Sequence, residues 1–182
     1  MSNQVYLEAR KIFDKYNGSH FQMEREGDYQ KYKDFNVPKE IEAEWISDRK
    51  NNITEKLYSE TNESEIALLF SQYGETVSQA VDENALSFML EFVEKNQNKW
   101  DSFTNVRVVE SILNSVNRFD TKHKQTTIKK SLDLLRNVTK TAFHVSDCYK
   151  VNGVFPDYTA ENKIAERVNR NIKYWESELK SL

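Results

Sequence analysis

Few side chains in this sequence are spaced for chemistry. Glu91 and Glu94 stand three apart in Asn84-Ala-Leu-Ser-Phe-Met-Leu-Glu-Phe-Val-Glu-Lys95, so a helix would turn both carboxylates to one side, where such a pair can hold a divalent cation. One pair leaves the cation short of ligands, and the next stretch offers only Glu110 with Leu113 and Asn114. The pair therefore reads as a solvated stripe. His144, Asp147 and Cys148 lie close together, an arrangement that orients an imidazole or supplies two metal ligands, but no second His or Cys pair lies at ligand spacing. His20 and His123 each stand alone in the sequence. The sequence contains no glycine-rich phosphate loop, no Gly-x-Ser-x-Gly elbow and no His-Glu-x-x-His motif. Catalysis, a resident metal and a cofactor are accordingly not expected.

Charge is the stronger signal. Net charge is −3, with 18 acidic against 10 basic side chains in residues 1–91 and 11 against 16 in residues 92–182. Lys122, His123, Lys124, Lys129, Lys130, Arg136 and Lys140 could meet phosphates, yet Asp133 interrupts them and no aromatic residues are interleaved. Nucleic acid is thus not the expected ligand. In the acidic half, Glu40, Glu44 and Asp48 fall at i, i+4 and i+8 and make one edge of a helix. Tyr29 and Tyr32 share a helical face in a segment, His20–Phe35, whose apolar residues are nearly all aromatic. Tyr side chains give large contact areas with few rotatable bonds, so Tyr29, Tyr32, Glu40, Glu44 and Asp48 are the candidate partner-binding residues. For the two tyrosines, core burial and partner contact are both open.

The elements that would carry these residues are helices. Gly (4) and Pro (2) are too scarce for the many reversals of a β-sandwich or barrel. Leu86, Met89, Leu90 and Val93 follow i, i+3, i+4, i+7 spacing, and Phe88 and Phe92 widen their face, which predicts a helix buried on two sides. Further helices are expected over Val5–Tyr16, over Pro38–Ser59 with a possible interruption at Lys50-Asn51-Asn52, and from Asn62 to an end at Gly74. Asp82 should cap the Leu86 helix, Thr104 or Asn105 the next, and another should run over Gln125–His144. A break at Val151–Asp157 precedes a long last helix with Ile164, Val168, Ile172, Trp175 and Leu179 inward. One all-helical domain is expected over 1–182, with aromatic and acidic helices in 1–60, a central array in 61–145 and the last helix in 156–182.

The middles of the four central helices, Leu68, Met89, Ile112 and Leu134, recur at intervals of 21, 23 and 22 residues. Asn105-Val-Arg-Val-Val-Glu-Ser-Ile-Leu113 resembles the polar cap, Val-Arg, small residue and Leu pattern of HEAT repeats. That resemblance covers about residues 62–145 and implies a right-handed α-α superhelix, although the early Pro and recurring Asp of such repeats are missing. A compact antiparallel bundle of about 7–8 helices has the same spacing. Glu91 and Glu94 resemble half of the magnesium site of all-helical nucleotide pyrophosphohydrolases, which implies an alternative enzymatic reading; a HEAT-like nucleic-acid-binding protein is another. The preferred expectation is a non-enzymatic module that binds a protein with a basic surface, an adaptor or an immunity-like or antitoxin-like inhibitor. The longest apolar run, Ile66–Phe70, is too short for a bilayer and the first residues lack a signal-peptide pattern, so a cytoplasmic, non-membrane location is expected.

Overall fold

The computed structural model describes residues 6–140, 142–151 and 160–182. The protein is all-α, and no strand occurs among the described residues. The helices are α1 (Leu7–Lys15), α2 (His20–Arg25), α3 (Tyr29–Asp34), α4 (Lys39–Ser59), α5 (Glu63–Ala80), α6 (Glu83–Asn96), α7 (Ser102–Ser115), α8 (Thr121–Val138), α9 (Asp147–Val151) and, after the undescribed residues, α10 (Glu161–Ser181). The excess over the expected seven or eight comes from short pieces. The aromatic segment forms two six-residue helices because Gly27, at φ +83°, turns the chain between them. The expected break at Val151–Asp157 lies largely outside the described residues.

Buried side chains fall into two clusters. The smaller joins Ala9, Ile12, Phe13 and Tyr16 of α1 and its end with Met23, Tyr32 and Trp45. The larger takes Ile53 and Leu57 from α4, the inner faces of α5 to α8, and Ile164, Val168 and Trp175 from α10. Helix α4 belongs to both. Its expected weak point does not break, because neighbours hold the segment on three sides: Arg10 donates to Asp48 at 2.9 Å, Arg49 to Asn17, and Lys50 to Asp82. The Thr54 hydroxyl also returns to the Lys50 carbonyl at 2.8 Å.

In the main cluster, most contacts join helices that are nearest or next-nearest in sequence, α5 against α7 most extensively, while α10 also reaches α7 and α9 reaches α5; neighbour packing of this kind is shared by bundles and superhelices. The α5/α7 contact explains why Gly74 does not end its helix. A Cβ there would lie 3.0 Å from the Ser111 carbonyl oxygen, so glycine lets two backbones approach. Helix α5 instead ends at Val81, a β-branched residue in the left-handed region at φ 50°. Asn62 and Asp82 cap α5 and α6 as the sequence suggests. The cap of α7 is Asp101, not Thr104 or Asn105: Asn105 is buried inside the helix, where its amide donates to the carbonyls of Gln97, Trp100 and Asp101 and ties down the preceding turn. Asp120 caps α8, which begins and ends earlier than Gln125–His144.

Gly74→Val is expected to lower unfolding stability by about 1–3 kcal/mol in urea titrations, through overpacking against α7; an unchanged midpoint would contradict the close approach. Val81→Gly should raise stability by about 1 kcal/mol by relieving the left-handed strain, and a loss there would contradict the assigned conformation.

Candidate functional site

Helix α4 projects a continuous acidic stripe. At 100° per residue Glu40, Glu44, Asp48, Asn51 and Glu55 fall within one narrow sector, and all five are exposed. With a rise of 1.5 Å per residue they extend over about 22 Å. Asp48 is bridged by Arg10, whereas Glu40, Glu44 and Glu55 carry no side-chain ion pair among the described residues. Glu42, on another side of the helix, accepts from the Tyr32 hydroxyl and lies 3.2 Å from His20 Nε2.

That geometry separates the two candidate tyrosines. Tyr32 is only 4% exposed, and its burial, with Glu42 beside it, pushes its pKa well up. It is a core residue, which corrects its place among the partner-binding candidates. Tyr29 is half-buried with its ring 5.4 Å from that of His20, next to the stripe's N-terminal end in sequence but not part of it. Glu40, Glu44 and Asp48 do lie together, and Glu55 extends them; Asn51 and Asn52 obscured that continuation in the sequence.

The other candidates are largely engaged in structure. Glu91 and Glu94 are exposed, with Lys95 3.8 Å from Glu91. Glu110, where a second acidic pair would be needed, is held by Arg167 Nε at 2.7 Å and by Asn171 at 2.6 Å, so it is not free to complete a magnesium site. In the basic segment, Arg136 bridges Asp133 and Glu176 at 2.9 and 2.8 Å, and Lys124 lies 3.9 Å from Glu178. These two cations fasten α8 to α10. His144 is not at a helix end: its backbone exchanges hydrogen bonds with Ser102, at 2.8 and 3.0 Å, while Ser146 N donates to Asp101.

His123 is not alone. Its Nδ1 lies 2.9 Å from Asp120 and its Nε2 3.2 Å from Glu83, which the sequence concealed because Glu83 is on α6. One ligand atom from each of the three lies within 4.8 Å of the others, close enough to surround a metal ion, although exposed groups of this kind also cluster without one. Nearby, burial draws the Asp82 pKa upward, but the Lys50 ammonium and the amides of Ala85 and Asn84 outweigh it and hold the carboxyl below its ordinary 3.8. A depressed folded-state pKa stabilises the fold fully above the ordinary value, and that contribution is lost as pH falls through the folded value.

No helix of the described residues is long and apolar enough to cross a membrane. Comparisons with protein-family models, with curated proteins and with solved structures each return no match to this chain.

Asp82→Asn keeps a capping side chain but loses the ion pair with Lys50. It should lower stability at neutral pH by about 0.5–1.5 kcal/mol and flatten the acid limb of the stability curve below pH 3.8; thermal unfolding across pH checks both, and an unchanged acid limb would contradict the assignment.

Proposed function

We propose that the chain is a non-catalytic binding protein that docks a basic protein partner along the acidic stripe of α4. The observation that carries this reading is the exposure of Glu40, Glu44 and Glu55 on one side of a helix, without an ion-paired cation among the described residues. Such a row creates a directional negative field that accelerates encounter with a basic surface and disfavours acidic ones. Support for a rigid platform comes from the opposite side of α4, where Trp45, Ile53 and Leu57 are buried. Preorganisation matters because a helix already fixed in place loses little conformational entropy on binding. An adaptor and an inhibitor of immunity or antitoxin type would both use this surface, in a cytoplasmic setting.

The engagement of Glu110 by Arg167 and Asn171 counts against a magnesium-dependent alternative. The use of Lys124 and Arg136 as internal ties likewise weakens a nucleic-acid reading.

A pull-down with the intact protein should recover a stoichiometric protein whose contact surface is rich in Lys and Arg. Its affinity should fall by roughly tenfold or more between low and physiological salt, and a similar loss is expected for Glu40→Lys, Glu44→Lys and Glu55→Lys combined. These positions are exposed, so circular dichroism and Tm should hold. A retained complex in the charge-reversed protein, or affinity indifferent to salt, would refute the reading.

A further inference from the structure

An open groove of about 780 Å³ lies between the C-terminal end of α4, the start of α5 and the end of α6, on the side of the main core. Small-molecule sites occupy roughly 300–1,000 Å³ and combine apolar walls with a few convergent polar groups. Both parts are present. Tyr58 is 71% exposed and stands edge-on to Phe92 at 5.4 Å; Phe92 in turn lies nearly parallel to Trp100 at 6.1 Å and 25°. Phe92 is already covered, whereas Tyr58 and half-buried Trp100 leave ring surface facing the groove. An aromatic ring left in water forgoes burial worth ~1.5–3 kcal/mol, so a flat apolar ligand has something to cover.

The polar groups fix the sign of that ligand. Lys95 and Lys99 follow Phe92 by three and seven positions and border the same groove. Lys99 Nζ bonds the neutral Asn96 side chain at 3.0 Å, and the carboxylate nearest Lys95 is Glu91, at 3.8 Å and exposed. Two acidic side chains also line the groove, and backbone amides engage one oxygen of each. Glu60 accepts from Thr61 N and Asn62 N at 2.8 and 2.7 Å, and Glu63 accepts from Asp101 N at 2.7 Å. One oxygen of each carboxylate is thus held by backbone amides, whereas both ammonium groups belong to exposed side chains.

We propose that this groove is a binding site for a planar aromatic ring bearing an anionic group, with the ring against Tyr58 and Trp100 and the anion at Lys95 and Lys99. An aromatic phosphate such as a nucleotide and an aromatic carboxylate share this chemistry. The site is separate from the acidic stripe and does not depend on it.

Calorimetric titration of the whole protein with AMP and with indole-3-acetate, each beside its neutral counterpart adenosine or indole, tests the assignment. At least one anion should bind one-to-one, with its neutral counterpart roughly tenfold weaker or more, and the tighter of the two anions identifies the source class. Lys95→Glu with Lys99→Glu should reduce affinity by a similar factor, and Tyr58→Ala should also weaken binding; the lysines are exposed and Tyr58 loses only its ring contacts with Phe88 and Phe92, so circular dichroism should show each variant folded. Amide shifts in an NMR titration should centre on residues 58, 95 and 99. Absence of binding by both anions at millimolar concentration, equal binding of the neutral compounds, insensitivity to the lysine reversals, or shifts centred elsewhere would each overturn the proposal.

Discussion

The fold depends on a single helix being buried at two places. Trp45 of α4 enters the small aromatic cluster, with Phe13 edge-on at 5.2 Å, while Ile53 and Leu57, two to three turns later, enter the main core. Each buried side chain of this size contributes ~1.5–3 kcal/mol, so the apolar contacts at both ends outweigh the low helix propensity of the Asn51-Asn52 pair between them. Between those anchors the contacts are polar and uneven. Arg49 reaches Asn17, yet its Nε and Nη1 are buried without a hydrogen-bond partner, and burial pulls its pKa down. The N-terminal helices are therefore joined to the rest through α4 and a few polar ties, not through one continuous apolar interface.

A second polar assembly joins α5, α7 and α9. Asp101 caps α7 and also receives Ser146 N, while the buried Tyr149 hydroxyl donates to the Glu63 carbonyl at 3.1 Å and meets Thr104 at 2.8 Å. Buried polar groups are stable when each finds a partner, and here those partners come from α5, α7 and the chain before α9. The same network holds one oxygen of the Glu63 carboxylate on the Asp101 amide, at the edge of the aromatic groove that Lys95 and Lys99 also border. One set of hydrogen bonds thus fixes the local fold and one wall of the groove.

Helix content and the inward faces were legible because apolar periodicity reports burial directly: Leu86, Met89, Leu90 and Val93 are all buried. Helix ends were less legible where two signals competed. Gly74 reads locally as a terminator, but its lack of a side chain serves packing against α7; the true terminator, Val81, carries no turn signal at all. Thr104 and Asn105 read as caps because both types cap helices well, and only the fold shows Asp101 three residues earlier accepting from Thr104 N. For the candidate sites, the acidic stripe follows from spacing on one helix. The His123 cluster and the aromatic groove assemble residues from different helices, so neither spacing nor composition exposes them.

Both proposed surfaces require α4 to be one rigid rod, since the acidic stripe runs along it and Tyr58 stands at its end. Native-state amide hydrogen exchange, resolved by residue, reads that property directly. Amides from Trp45 to Leu57 should be protected as a single unit, with those of residues 49–52 exchanging no faster than their neighbours in α4. Rapid exchange confined to residues 49–52 would instead mean two independent helices, with no continuous stripe for a partner to engage.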